Sequence, residues 1–307
     1  MEIQPLLDHL FEGRPTRVSR ITTGKFNESY FVGDGRGEYV LRIAPAEHTP
    51  VLFYEQRMMR REPGIHHLVK ENTSAPVARI LEHDFSGSLI PNDWLLMERL
   101  PGGALSETPV GDGAADALFH RLGMVLRQVH AVTSEGHGYP EGGETGPLVP
   151  RWYDAFRTMW SRLLDDIVST GLYSPEERDR LVALLEHHSR CFRHDPQPSL
   201  LHMDIWSQNL LTDTRGELHG IVDWDRGLWG DPEIEFSVLE YCGTSPDAFW
   251  SGYGSVPERD ESFEVRRTFY LLYEHQKYIY IRSQRDGSPG LARRYAEQSL
   301  ALASRLE

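Results

Sequence analysis

The stretch LLHMDIWSQNLLTDTRGELHGIVDWDRGLWGDP, Leu200 to Pro232, decides the fold. Within it, His202-x-Asp204 is followed five residues after the Asp by Asn209, and fourteen residues later by Asp223 at the end of the apolar run Gly220-Ile221-Val222. Leu200-Leu201 before this group and Leu210-Leu211 after it predict a buried strand, a polar loop and a second strand. Ile221-Val222 then brings Asp223 to a strand end, and Gly230-Asp231-Pro232 follows. Phosphoryl transfer from a nucleotide needs such a set: one Asp receives the acceptor hydroxyl, while an Asn and a second Asp hold magnesium against the phosphates. Three fixed residues recur by chance, so the flanking strands and the order of sheet and then helices give the pattern its weight. A purely structural reading would make Asp204 and Asp231 turn or capping residues and Asn209 an Asx-turn.

Working outward, the first hundred residues read as a small sheet. Thr16–Thr22 and Glu28–Gly33 are strand candidates around the turn Thr23-Gly24-Lys25-Phe26-Asn27, and Asp34-Gly35-Arg36-Gly37 turns the chain into the alternating strand Glu38–Ile43. A dinucleotide-binding reading of this Gly-rich turn fails, because a strand follows where that motif requires a helix. Val51–Asn72 has a helical pattern interrupted by Pro63, which restricts Glu62 and starts a second helix. Ala78–His83 and Trp94–Met97 are two further strands, and Glu98-Arg99-Leu100-Pro101-Gly102-Gly103 is a candidate hinge.

Beyond the hinge, helices dominate. They are expected over Ala117–Val132, Trp152–Ser169, Pro175–Phe192, Phe263–Arg285 and Leu291–Leu306, with Ser174 and Glu177 forming a capping box. Glu135–Pro150, rich in Gly and Pro, reads as a surface loop, and the motif region as short strands and loops.

Composition sets the outer bounds. The 307 residues carry 39% hydrophobic and 25% charged side chains, a soluble globular balance large enough for a two-lobed core. No apolar run approaches a membrane span, and the first residues lack the features of a signal peptide. Cys191 and Cys242 have no metal-ligand spacing, so the default is a reduced cytoplasmic protein. Up to Met97, 11 Lys+Arg stand against 13 Asp+Glu, a balance of −2; the remainder has 21 against 33, a balance of −12. This excludes a nucleic-acid backbone as the favoured partner and is compatible with a cationic substrate, or simply with solubility.

The segment resembles the aminoglycoside phosphotransferase and fructosamine kinase group of small-molecule kinases. His202, Asp204, Asn209, Asp223, Asp225 and Gly230-Asp231-Pro232 occupy the positions of that group's pattern, with Met203 where Gly is usual. Ile205-Trp206-Ser207 is closer to fructosamine kinases, and Asp223-Trp224-Asp225 to aminoglycoside kinases. A protein kinase is disfavoured, because Trp206 stands where Lys is usual and no Ala-Pro-Glu closes an activation loop.

The resemblance implies an α+β, two-lobed protein-kinase-like fold. Residues 1–97 would form a nucleotide-binding lobe with an antiparallel sheet, 98–103 the hinge, and 104–307 a mainly helical catalytic and substrate-binding lobe. Mg2+ and ATP or GTP are the implied cofactors. Asp204 becomes the catalytic residue and Asn209 and Asp223 the metal ligands, with His202, Asp225 and Asp231 in support. Here His202 ties the loop structurally, Asp225 backs the metal or faces the substrate, and Asp231 caps the catalytic loop.

For the nucleotide, the resemblance points to Gly24 and Asn27 in a phosphate-covering turn and to Arg42 in place of the usual Lys. Glu62, preferred to Glu55, is the acidic partner, and the backbone of Glu98 to Leu100 contacts the base. Trp206, Trp229, Glu235, Glu240 and Glu274 are candidates to line a substrate cleft, with core packing or a solvated helix face as the alternative for each. His130 reads as a buried structural histidine. The favoured acceptor is a small cationic molecule such as an aminoglycoside, with a sugar or ketosamine kinase as runner-up. A catalytically silent nucleotide-binding module is the reading from another class. The protein would be a monomer or homodimer without nucleic-acid or membrane partners.

Overall fold

Alternation along Glu38–Ile43 organises the small lobe. The computed structural model of the chain describes residues 3–24, 26–140 and 145–307. Lys25, inside the expected phosphate-covering turn, lies outside the described residues, as do 141–144 of the expected surface loop and the first two residues.

The strands β1 (Arg17–Ile21), β2 (Glu28–Gly33), β3 (Glu38–Ile43), β4 (Ile80–Asp84) and β5 (Trp94–Glu98) form one antiparallel sheet in the order β1-β2-β3-β5-β4. Leu41 pairs with Leu96 and Ile43 with Trp94. All four pack with Leu6, Leu7 and Phe11 of the N-terminal helix α1 (Gln4–Leu10) and the residue after it. Side chains alternate along a strand, so Arg42 between these two core residues is turned to the opposite face, towards the rest of the molecule.

The segment after β3 differs from the expected helix over Val51–Asn72. Turns and a short 3-10 turn (Met58–Arg61) precede helix α2 (Glu62–Asn72), and Arg57 sits at φ +53°, which no continuous α-helix accommodates. Pro63 occupies the first turn of α2, where its missing N–H has no partner to lose, so the helix begins at Glu62.

The large lobe is built on α3 (Asp112–His130), α4 (Trp152–Ser169), α5 (Pro175–His187), α6 (Pro232–Cys242), α7 (Asp247–Tyr253), α8 (Glu261–Tyr280) and α9 (Pro289–Ala303). The expected capping box at Ser174 and Glu177 is formed at the start of α5. Helices α1, α6 and α7 go beyond the sequence reading: α1 precedes the first expected strand, and α6 and α7 follow the motif. After Tyr280 the α8 axis continues as a π turn, Ile281–Arg285, where an uninterrupted helix was expected. Two apolar clusters hold this lobe. One joins α4, α5, α8 and α9, and the other joins α3 and α7 to the motif strands.

Between these helices, short strands fix the motif. Strand β7 (Ser199–Leu201) pairs with β10 (Leu228–Gly230), while β8 (Leu210–Thr212) pairs with β9 (Leu218–Ile221) and with β6 (Gly103–Ala104). The loop 202–209 and the loop 222–227 therefore emerge side by side, joined by the Val222 amide donating to the Asn209 carbonyl at 3.0 Å. Among the described residues, no helix is long and apolar enough to cross a membrane.

Candidate active site

A cleft between the sheet and the helical lobe is lined by both motif loops and by the face of β3 that carries Arg42. His202 is fully buried at the base of the first loop. Its Nδ1 accepts the Asp204 amide at 3.2 Å, so the proton on Nε2 goes to the Val222 carbonyl at 3.0 Å. Burial holds this imidazole below its ordinary pKa, against the pull of Glu235 and Asp204, and a neutral ring is what both bonds require. His202 thus ties one loop to the other.

Met203, where the family pattern has Gly, takes a left-handed φ of +65°. A side chain there strains the backbone, and the surroundings must hold it in place. The Met203 amide donates to Glu235 at 2.5 Å, Glu235 bonds His130 at 2.7 Å, and His130 bonds the Tyr253 hydroxyl at 2.8 Å, all of them buried. Glu235 is therefore a bracket behind the catalytic loop and does not line the cleft. His130 is structural, as expected.

Asp204 projects into the cleft. Its carboxylate accepts from Arg226 at 2.6 Å and from Asn209 Nδ2 at 3.0 Å, and Lys277 of α8 stands at 3.9 Å. Burial works to raise its pKa, but Arg226 foremost, then Lys277, hold the carboxyl below its usual value. Asn209 also donates to the Asp204 carbonyl at 2.9 Å, which leaves its own side-chain oxygen as the atom for a cation.

Across the cleft, Arg42 is buried among three carboxylates. It pairs with Glu62 and Asp223 and donates to Asp225 at 3.0 Å. Glu62 is the partner; Glu55 instead accepts the Leu52 amide at 2.8 Å and pairs with Arg285 at 3.0 Å. Asn27 reaches over from the sheet to donate to Asp225 at 3.0 Å, while its Oδ1 is enclosed without a hydrogen-bond partner among the described residues. Burial pushes Asp223 up, opposed by Arg42 and aided by Glu62. Burial and the neighbouring Asp223 push Asp225 well up. Glu62, although buried, is held down by Arg42. Three carboxylates against one guanidinium leave an excess of negative charge that a divalent cation would balance. The donors are hard oxygens, the kind that magnesium takes. The site fits the metal.

Gly24, Asn27, Glu98, Leu100 and Trp206 line the same cleft. The Glu98 carboxylate, however, turns back to accept the Arg79 amide at 2.8 Å. Four of the candidate substrate contacts do not line it. Trp229 is core on β10, Glu235 is the bracket described above, and Glu240 pairs with Arg267 on the surface between α6 and α8. Glu274 is buried beneath the site, holding Lys277 at 2.5 Å and Arg226 at 3.4 Å. Asp231 does not cap the catalytic loop. It is the N-cap of α6, accepting the Glu233 amide at 3.0 Å, and also binds His194 and Tyr270.

Sequence reasoning passed over Arg226 and Lys277, although Arg226 directly follows Asp225 in the motif. Lys277, three residues after Glu274, gave only the signal of an ordinary helix ion pair.

A model of the phosphotransferase enzyme family matches residues 17–262. The chain belongs to that family. This phosphotransferase is 25% identical, over 276 residues and 86% of each chain, to a probable ketoamine kinase of Vibrio parahaemolyticus. Among solved structures, a putative fructosamine-3-kinase from Haemophilus somnus superposes with a TM-score of 0.71 at 18% identity, covering 97% of this chain and 96% of that one. A thermostable mutant of an aminoglycoside phosphotransferase, in ternary complex with AMP-PNP and hygromycin B, gives a TM-score of 0.67 at 18% identity, over 98% and 99%. The protein-kinase-like, two-lobed α+β architecture expected from the motif is therefore the fold of this kinase.

Proposed function

We propose that this phosphotransferase moves the γ-phosphoryl group of a nucleoside triphosphate to a hydroxyl of a ketoamine, the adduct of a sugar with an amine. The observation that carries the transfer chemistry is the convergence in one cleft of Asp204 and Asn209 from one loop, Asp223 and Asp225 from the loop beside it, and Arg42 from β3, with Glu62 buried behind Arg42. Kinship with a protein named as a probable ketoamine kinase supports the acceptor class. So does the cleft beyond Asp204, which has Tyr241, Tyr278 and Lys277 among its lining and whose acids Glu55 and Asp286 are paired with Arg285 and Arg282. Unpaired acids there would favour a polycationic aminoglycoside, so the surplus charge after Met97 speaks for solubility. We take residues 1–97 as the nucleotide-binding lobe, 98–103 as the hinge and 104–307 as the catalytic lobe.

In this reading Asp204 accepts a hydrogen bond from the acceptor hydroxyl and orients its oxygen towards the phosphoryl group. Its depressed pKa makes it a weak proton acceptor, so positioning is its main contribution: the acceptor oxygen bonds to the γ-phosphorus as the bond to the departing nucleoside diphosphate breaks, and the hydroxyl proton passes to Asp204 late in that process. Asn209 and Asp223 would hold magnesium, with Asp225 behind them. The bound metal would neutralise charge on the phosphates. Arg42, fixed by Glu62, presents a planar fork that suits phosphate oxygens. Gly24 and Asn27 cover the phosphates. The Glu98 and Arg99 amides are already used by the Arg79 and Glu38 carbonyls, at 3.0 and 3.1 Å, so the purine would find its donor at Leu100. Trp206 would flank the acceptor.

Nucleotide consumption with magnesium, measured over a panel of ketoamines, aminoglycosides, macrolides and cyclic peptide antibiotics, tests the proposal. Ketoamines should be the best acceptors. Consumption driven only by aminoglycosides, or by none of the panel, would reject it.

A further inference from the structure

The end of the cleft beyond Asp204 carries cationic groups that the transfer chemistry does not use. The π turn Ile281–Arg285 follows α8 directly, and its Arg282 and Arg285 line the same cleft as Asp204. π-helical turns are uncommon and recur at functional sites. Each guanidinium is anchored by one carboxylate of the chain: Arg282 pairs with Asp286, and Arg285 with Glu55 at 3.0 Å. Each also keeps one enclosed nitrogen without a hydrogen-bond partner among the described residues, Nε of Arg282 and Nη1 of Arg285. An enclosed charged donor left unmet is costly, and although the Tyr295 side chain also bonds Arg282, an acceptor brought by a ligand in the cleft would relieve both.

The surroundings narrow what that acceptor is. Tyr278 stacks on Tyr295 at 5.2 Å, with Tyr241 at 6.3 Å from Tyr278, and Arg282 lies over Tyr278 at 5.6 Å. Tyr278 is covered by Tyr295, Arg282 and Lys277, so the exposed ring of Tyr241 is the face that suits a sugar ring or an alkyl chain, and a planar guanidinium nearby suits a carboxylate. For the nucleotide phosphates the assigned cation is Arg42, while Arg285 lies over Phe26 at 5.2 Å, so the nucleotide KM is read alongside the acceptor in the test.

We propose that Arg282 and Arg285 form an anion subsite for the acceptor, binding a carboxylate on its amine portion, so that the enzyme prefers a glycated free amino acid to a glycated neutral amine. The preference is set by the side chains of the π turn and leaves the phosphoryl-transfer groups untouched. This rests on the ketoamine reading above.

The test compares two matched ketoamines, one built on glycine and one on glycinamide, as acceptors at saturating magnesium and nucleotide. The wild-type kcat/KM should favour the carboxylate by roughly tenfold or more, as expected for a charge-assisted bidentate contact. Arg282→Gln and Arg285→Gln should bring the ratio close to one with little change in the nucleotide KM. Arg285→Lys should retain part of the preference, because it keeps the pairing with Glu55, and it serves if Arg285→Gln folds poorly. Equal use of both acceptors by the wild type removes the subsite and leaves the ketoamine reading standing. A ratio that survives both Gln variants, or a loss that falls on the nucleotide KM instead, also overturns the proposal, the latter by assigning the arginines to the phosphates. Turnover of neither compound rejects the ketoamine reading and the subsite with it.

Discussion

Replacing Arg226 by Gln should move the acid limb of the pH–rate profile upward. Arg226 donates to Asp204 at 2.6 Å, and Lys277, the other nearby cation, stands at 3.9 Å and is itself held by Glu274 at 2.5 Å. Asp204 must be ionised to accept the acceptor hydroxyl. Activity is therefore lost as pH falls through its folded pKa, which Arg226 holds down against burial. Two unit charges about 4 Å apart at an effective dielectric of about 20 interact by roughly 4 kcal/mol, equivalent to about three pKa units at ~1.36 kcal/mol each. Two features reduce this. Arg226 is shared with Glu274 at 3.4 Å, and the Asp204 side chain is 24% exposed to water. A shift of about one to two units remains, within the usual range for an Asp beside Arg. The assay is kcat/KM for the acceptor from roughly pH 5 to pH 9 at saturating magnesium and nucleotide, where this parameter reports the ionisations that matter. The variant should lose activity towards the acid end of that range, where the wild type keeps it, and recover as pH rises to neutrality and Asp204 ionises again. An acid limb that overlays the wild type, in a variant with an unchanged melting temperature, would refute the idea that Arg226 sets the charge on Asp204.

Three further outcomes follow from the same geometry. Asp204→Ala should lower turnover by at least about a hundredfold while leaving magnesium–nucleotide affinity near wild type, because Asp223 and Arg42 lie on the other loop and on β3 and Asn209 keeps its bond to the residue-204 carbonyl; kinetics and calorimetry together check this. Asp223→Asn should remove most of the magnesium dependence of nucleotide binding in a calorimetric titration, and equal metal dependence in both proteins would exclude Asp223 as a principal ligand. Burial holds Asp223 and Asp225 above the ordinary carboxylate range, so the folded apoprotein takes up protons more readily than the unfolded chain. The contribution of these two carboxyls to stability therefore grows as pH falls towards their folded pKa; the melting temperature of the wild type against Asp225→Asn across pH isolates it, and magnesium with nucleotide should remove the difference.

The strands were legible because alternation and turn chemistry are local. Glu28–Gly33 and Glu38–Ile43 have the boundaries expected from the sequence, since Asp34 to Gly37 can only turn and the half-buried strands alternate on either side. Helix α6 was hidden by its own composition. Its residues Ile234 to Leu239 are buried almost without interruption, so the run lacks the polar face that marks a surface helix. The segment before α2 failed for another reason. Its apolar residues Leu52, Phe53, Tyr54, Met58 and Met59 have helix-like spacing, yet they are divided between the lobes. Leu52, Phe53 and Tyr54 join the large-lobe core and Met59 joins the sheet, which no single helix face could do.

At the site, residue type revealed which groups hold charge but not which charges meet. The motif named Asp204, Asn209 and Asp223 because their spacing is fixed by two adjacent loops. It could not say that Glu235, thirty-one residues after Asp204, braces the strained Met203 amide from behind. Nor could it say that Glu274 would be spent on Arg226 and Lys277. In both cases an acid that reads as a possible ligand for a cationic substrate is consumed by the chain's own donors. The same accounting explains why the −12 balance after Met97 predicts so little about the acceptor. Charge counted along a sequence includes every carboxylate already paired in the fold, whereas a ligand meets only those left over. In this cleft the carboxylate excess lies around Arg42, where the proposed metal would sit. The groups left over beyond Asp204 are aromatic faces and guanidinium N–H donors, which points the search for the acceptor towards a sugar bearing an anionic group and away from a polyamine.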